Sequence, residues 1–261
     1  MNSGIGFQEI VLVTVLVLIL FGAKGVSGIM RDLGKLFGSL KKYRDEFTRE
    51  LMAITEPPHD EKKIRTTERE SIRRNCLRLA KELSIEERAR QSAEITVKIT
   101  SHPAYAAART LFCFMSLPEE VDTQPLIRNA LTAGKSVCIP YCIKETGELR
   151  AAYISDIDAD CAPGAYQIPE PIEKLRIPSA PLLIDLFIVP GVSFDRNRTR
   201  MGRGMGYFDR FLSPLEGKKP LWGIAFNEQI YAYYIPKEEH DVPMDLVFSP
   251  LETIEAPNYG K

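Results

Sequence analysis

The ten residues Arg200-Met201-Gly202-Arg203-Gly204-Met205-Gly206-Tyr207-Phe208-Asp209 alternate three glycines with charged or bulky residues, hold two arginines and close on an aspartate. Alternating glycines let a backbone adopt positive φ and approach a ligand closely. Amide N–H groups turned outward in that way, with guanidinium forks beside them, form a cradle for phosphate oxygens. The run is not a Walker A loop, since no Gly-Lys-Ser/Thr follows at the required spacing, and its third glycine comes too soon for the dinucleotide fingerprint. Taken alone it is equally compatible with a tight surface turn carrying solvated arginines. The apolar stretch Ile184–Val189, stopped by Pro190-Gly191, reads as a buried strand, and Tyr207–Leu212 as the start of a helix. Strand, glycine loop and helix in that order is how α/β proteins hold nucleotides.

The rest of the chain must supply the frame. With 261 residues, there is room for one full domain and a smaller appendage. A net charge of −1 argues against a nucleic-acid binder. Cys76, Cys113, Cys138, Cys142 and Cys161 are odd in number and contain no C-x-x-C pair, so neither a disulfide framework nor a zinc site is signalled and a reducing cytoplasm fits. His59, His102 and His240 are too scattered to suggest a metal cluster.

The N-terminus has a different character. Ile10–Phe21 is apolar except for Thr14. As a helix, Phe7–Phe21 would reach about 22 Å, short of the roughly 30 Å hydrocarbon core of a bilayer. No basic residue precedes the run and Glu9 is acidic, which argues against a cleaved signal and for a short membrane anchor, with a buried core helix as the alternative. Ile29, Leu33, Leu36, Phe37, Leu40, Phe47 and Leu51 then mark one face of a helix, and residues 22–51 carry seven positive charges against four negative. Such a helix should lie on an anionic inner leaflet, with the N-terminus outside and the remainder in the cytoplasm. Gly4-Ile5-Gly6-Phe7-Gln8-Glu9, the apolar run, Phe21-Gly22, Leu33-Gly34-Lys35 and Lys41-Lys42 resemble the TatA/TatB small subunits of the twin-arginine translocase. The chain departs from that family at Ala23, where a hinge proline is usual. The resemblance implies a single-pass protein of the inner membrane, with other translocase subunits as potential partners. Glu56-Pro57-Pro58-His59-Asp60-Glu61 reads as a linker, which divides the chain into a membrane segment over 1–56 and a second domain over 57–261.

In that second domain, helices are expected over Glu61–Leu83, from a capping box at Ser84–Glu87 to about Ser101, over Asp122–Ala133 with a stop at Gly134, and from Tyr207 to Leu212. Strands are expected at Thr110–Phe114, Val137–Pro140, Leu149–Ile154, Leu183–Val189, Leu221–Phe226 and Leu246–Phe248. The alternation implies an α/β fold, a three-layer α/β/α domain with a mostly parallel sheet, preceded by a short transmembrane helix and an amphipathic helix.

The glycine loop then takes its place in a longer series. Arg69 and Arg73, Leu83-Ser84 with Glu86-Glu87-Arg88, Ser92, Glu119-Glu120-Val121-Asp122-Thr123, Gly134-Lys135, Gly164–Pro171, Asp185, Val189–Asp195, the loop itself, Ala225-Phe226 with Gln229, Ile235-Pro236 and His240-Asp241 with Asp245 together resemble 5-formyltetrahydrofolate cyclo-ligases. The resemblance implies an ATP- and Mg²⁺-dependent ring closure of 5-formyltetrahydrofolate to 5,10-methenyltetrahydrofolate, with ADP and phosphate released. In the family's scheme the formyl oxygen takes the γ-phosphoryl group, N10 attacks the activated carbon, and phosphate leaves. It assigns ATP to Arg69, Arg73 and the loop residues Arg200, Met201, Gly202, Arg203, Gly204, Met205, Gly206, Tyr207 and Phe208. It assigns the folate to Met115, Glu120, Tyr166, Arg203 and Tyr207, catalysis to Arg203 and Tyr207, and magnesium to Asp209 and Asp241. Phe208 stands where a second tyrosine is common, so that hydroxyl is missing here. Plainer readings remain for several of these: a solvated basic helix face for Arg69 and Arg73, a dipole-stabilised first-turn carboxylate for Asp209, and packing beneath Pro169 and Pro171 for Tyr166. A different function, a translocation component carrying the second domain as passenger, follows from the first 50 residues.

Overall fold

The protein is described by a computed structural model over residues 59–143, 145–164 and 167–256. The expected membrane anchor and amphipathic helix therefore lie outside the described residues, as does Tyr166. Among the described residues no helix is long and apolar enough to cross a membrane. Residues Arg65–Lys261 form one compact unit.

Five parallel strands make the centre of this unit. Chain order runs α1 (His59–Glu82), α2 (Ile85–Thr100), α3 (Pro103–Ala107), β1 (Thr110–Cys113), α4 (Gln124–Thr132), β2 (Ser136–Ile143), β3 (Glu148–Ile154), α5 (Ile157–Asp160), β4 (Cys161–Pro163) and β5 (Pro169–Pro171). It continues with β6 (Leu186–Val189), β7 (Ser193–Asp195), β8 (Arg200–Met201), α6 (Tyr207–Leu212), β9 (Leu221–Ile224), β10 (Ile230–Tyr231), β11 (Leu246–Phe248) and β12 (Thr253–Ile254). The main sheet has the order β12-β11-β9-β6-β1-β2-β3. Its edges β3 and β12 are antiparallel to their neighbours and the interior pairs are parallel. Strands β6 and β9 are buried along their whole length, as continuous apolar runs in a sheet covered on both faces must be. The linker expected up to Glu61 is shorter than read, because α1 already begins at His59.

Alternation along each strand sends side chains into two cores. Leu111, Cys113, Val137, Leu186, Ile188 and Trp222 pack with Ile95, Ile99, Leu126 and Ile127 of α2 and α4. On the opposite face Phe112, Cys138, Phe187, Val189 and Leu221 pack with Phe194 and Leu212. The second face is thus covered by short α6 and by β7 of a small three-stranded sheet, β10-β7-β8, a mixed layer where a helical one was expected. Helix α1 packs elsewhere, with Ile72 and Cys76 against Val192, Met201 and Ile235. Along it Ile64 is exposed, and the buried series is Arg69, Ile72, Cys76 and Ala80.

One close approach explains two glycines. A Cβ on Gly223 or on Gly191 would lie 2.4 Å from the ring of Phe194, which is fully buried. Gly223→Ala is therefore expected to lower unfolding free energy by about 1–3 kcal/mol through overpacking. Urea titration checks this, and a variant within about 0.5 kcal/mol of wild type would show that the ring yields freely.

From β1 the chain turns to β2 on one side, while β6, β9 and β11 build outward on the other. The direction of winding reverses between β1 and β6, so the loops at their carboxyl ends part and leave a crevice where α/β sheets bind ligands.

Candidate functional site

Two loops from that switch point form the site. The first follows β1 and is a tight turn. The amide of Glu120 donates to the Leu117 carbonyl at 2.9 Å. The amide of Leu117 donates back to Oε2 of Glu120 at 3.0 Å. Pro118 presets φ at the second turn position, and Arg88 of α2 donates to its carbonyl at 2.9 Å. One oxygen of Glu120 is thereby anchored and the other is left to face the second loop.

That second loop is the glycine run. Between β6 and the glycines the chain inserts the antiparallel hairpin β7–β8, with Ser193 opposite Met201 and Phe194 opposite Arg200. The simple succession of strand, loop and helix is thus interrupted by a turn built on Asp195, whose buried carboxylate accepts from the amides of Asn197, Thr199 and Ile235. Gly204 and Gly206 have φ of 104° and 65°, and Gly206 caps α6. Gly202 has no positive φ; a Cβ there would lie 3.1 Å from Nη1 of Arg200, a tight contact that the guanidinium would have to relieve by shifting slightly.

Each arginine read as a phosphate ligand already has a partner. Arg203 donates from Nη2 to Glu120 at 3.0 Å and to Glu119 at 3.2 Å, and from Nε to Glu120 at 3.3 Å. Burial works against its charge, but Glu120 and Glu119 outweigh it and hold the guanidinium above its ordinary pKa. Arg200 is 2% exposed and ion-paired with Asp209, and its plane lies over Phe208 at 5.9 Å. Its Nε is a buried nitrogen with no hydrogen-bond partner among the described residues. Arg69, also buried, donates to both oxygens of Asp241 at 2.6 and 3.1 Å. Arg73 donates to the Gly202 carbonyl at 3.0 Å, bracing the loop from α1, and burial followed by the charge of Arg69 lowers its pKa. The two aspartates read as magnesium ligands are thus the partners of two arginines read as phosphate ligands. Asp241 also stands with Glu238 and His240, which bring one potential ligand atom each within 4.8 Å of one another; Asp209 is not in that group.

Between the loops lies a cavity of about 460 Å³, the size of a small-molecule site. Its wall brings together Met115, Glu120, Arg200, Gly202, Arg203, Met205, Gly206, Tyr207, Phe208 and Asp209 from the sequence-derived set. Arg69, Arg73, Met201, Gly204 and Asp241 do not line it. The opposite wall holds Tyr141, Cys142, Leu149, Ile168 and Glu170, which were not read as site residues. Glu170 is buried, salt-bridged to Arg176 at 3.0 Å, and accepts from the Cys142 amide at 3.3 Å. A Cβ on Gly164 would lie 2.4 Å from its side chain, which explains the glycine in that block. An acidic residue between Pro169 and Pro171 was the available signal.

The cysteines are all free thiols, and Cys76, Cys113 and Cys138 are buried. Burial pushes Cys138 up to about 11, and Cys161 likewise to about 11, so both stay neutral at physiological pH. Iodoacetamide applied to native protein at neutral pH is expected to leave Cys138 unmodified, as read by peptide mass spectrometry. Rapid alkylation there would show that the β1–β2 region opens readily.

Comparison with known proteins agrees with this architecture. A sequence model of the mttA/Hcf106 family matches residues 3–50. The chain is 31% identical to mouse (Mus musculus) 5-formyltetrahydrofolate cyclo-ligase over 175 residues, 63% of this chain and 85% of the relative. It is 28% identical to the Escherichia coli K12 protein of the same name over 175 residues, 66% of this chain and 95% of that one. The NMR structure of Aquifex aeolicus 5,10-methenyltetrahydrofolate synthetase superimposes with a TM-score of 0.64 at 27% identity, covering 74% of this chain and 94% of that chain. With the model of the 5-formyltetrahydrofolate cyclo-ligase family matching residues 65–250, the greater part of the chain, the protein belongs to that family.

Proposed function

We propose that the protein converts 5-formyltetrahydrofolate to 5,10-methenyltetrahydrofolate at the expense of ATP, releasing ADP and phosphate. The carrying observation is the cavity at the β1–β6 switch point, which puts Glu120, Met115 and Tyr207 on one surface with the glycine loop. Glu120, anchored by the Leu117 amide, accepts from donor groups of the pterin ring. Met115, Phe114 and Tyr141 supply the apolar wall for that ring. The glycine loop and Arg203 hold the transferring phosphoryl group beside Tyr207. The formyl oxygen displaces ADP from the γ-phosphorus, N10 then attacks the formyl carbon and loses its proton, and the C–O bond breaks to release phosphate, which carries that proton away. The protein's part is to align these groups and neutralise charge.

Asp209 fits a magnesium ion, since it lines the cavity beside the loop and is a hard oxygen donor. Asp241 as placed does not, because Arg69 occupies both its oxygens. Bound magnesium would supply charge neutralisation on the phosphate oxygens. Full-length protein in detergent, supplied with 5-formyltetrahydrofolate, ATP and magnesium, should generate methenyl absorbance. Absence of turnover at high enzyme concentration sinks the reading.

The match of residues 3–50 supports a further element: attachment to the inner membrane with the enzyme domain in the cytoplasm. Carbonate-resistant pelleting with membranes tests it. The same match favours a second reading, a contribution to twin-arginine export, and failure of the full chain to restore export in a translocase-deficient strain would count against that reading.

A further inference from the structure

We propose that Glu119 is the positioning residue for Arg203, the side chain that keeps this guanidinium at the cavity rim once the substrate has engaged Glu120. The inference rests on the ring-closure reading above and extends it to a residue that lies outside the cavity wall.

Arg203 meets two consecutive carboxylates, Oε1 of Glu119 at 3.2 Å and Oε1 of Glu120 at 3.0 Å. Consecutive side chains seldom converge on one group. They do so here because residues 117–120 form a turn closed by the Glu120 amide on the Leu117 carbonyl and fixed from below by Arg88. The two carboxylates have different surroundings. Glu120 lines the cavity and Glu119 does not. A ring bearing N–H donors in the cavity competes with Arg203 for Oε1 of Glu120, because its Oε2 is already bound to the Leu117 amide. Arg203 then loses the two hydrogen bonds it makes to Glu120 and keeps the one to Glu119.

Without that remaining contact the long side chain, 41% exposed in the resting protein, would sample many rotamers in solvent at the step where it must meet the phosphoryl group. Glu119 thus holds the fork in place through the exchange, and its neutral isostere cannot hold it as firmly. In the ring-closure reading Arg203 holds the transferring phosphoryl group while Glu120 and the apolar wall hold the pterin, so the deficit belongs to the chemical step more than to folate binding.

The test is steady-state kinetics of full-length Glu119→Gln and Glu119→Asp in detergent, with melting temperatures alongside. Glu119→Gln is expected to lower kcat about 10-fold through a misplaced catalytic group, with the KM for 5-formyltetrahydrofolate within about twofold of wild type. Glu119→Asp, which keeps the carboxylate, should recover most of kcat. A wild-type kcat in Glu119→Gln overturns the inference and leaves the ring-closure reading intact. So does a raised folate KM with unchanged kcat, which would make Glu119 a folate ligand. Equal losses in both variants would assign a structural role instead. Absence of turnover by the wild type overturns the functional reading and the inference together.

Discussion

Arg203→Ala is expected to reduce turnover of 5-formyltetrahydrofolate by about 10³-fold, the scale seen when a phosphoryl-transfer site loses its arginine. Among the arginines read for the loop, Arg203 lines the cavity and has an accessible side chain, whereas Arg200 is locked at 2% exposure against Asp209. Its resting partners are rim carboxylates, so its loss costs little stability; exposed pairs contribute about 1 kcal/mol or less. The melting temperature should accordingly stay within a few degrees of wild type. Arg203→Lys keeps the charge and loses the planar fork, and should fall between the two. The measurement is the rate of methenyl absorbance at saturating ATP. A variant retaining a tenth of the wild-type rate would remove Arg203 from the chemical step.

The largest stability effect is expected at Asp209. Removing one member of a buried ion pair leaves an uncompensated charge, at a cost of about 3–5 kcal/mol. Asp209→Ala strands Arg200, whose Nε already lacks a hydrogen-bond partner among the described residues. For a domain of this size that corresponds to a drop in melting temperature of about 6–20 °C. The double variant Arg200→Met/Asp209→Leu replaces the pair with apolar groups of similar volume and should recover most of the loss. It should not recover turnover, since the proposed magnesium donor is gone in both. A melting temperature for Asp209→Ala within 2 °C of wild type would show that the interior around Arg200 is wetter than its burial implies.

Local chemistry was readable wherever one residue or one period decides the outcome. Of the capping box read at Ser84–Glu87 the Ser84 half forms, with its side chain accepting from the Glu87 amide, while the Glu87 carboxylate accepts from Arg90 and Gln91 instead. Gly134 stops the helix before β2 at a φ of 76°, which only glycine adopts freely. The strands that carry the sheet, β1, β2, β3, β6, β9 and β11, fall where short apolar runs end in turn residues. Apart from β11, elements of two or three residues did not show. The hairpin β7–β8 has too few positions to display a period, and its turn depends on Asp195 gathering the nearby amides of Asn197 and Thr199 and the distant one of Ile235. For the same reason the glycine loop was legible as a motif while its immediate support was not.

Within the site, residue types and spacing named the glycine loop and its arginines as a phosphate cradle, whereas Glu120 and Met115 came from the resemblance to the cyclo-ligase family. What the amino-acid sequence determined by itself was therefore the inventory: an α/β domain and a glycine loop that carries two arginines and closes on an aspartate. Tertiary structure alone decided the pairing. Arg69 on α1 meets Asp241, 172 residues away, and Arg203 meets Glu119 and Glu120 across 84 and 83 residues. Glu170 and Tyr141 reach the cavity only because β2 and β5 are brought beside the β1–β6 crevice. Local periodicity reports on neighbours within a turn or two, whereas charge pairing across loops follows from the winding reversal of the sheet and has no local signature.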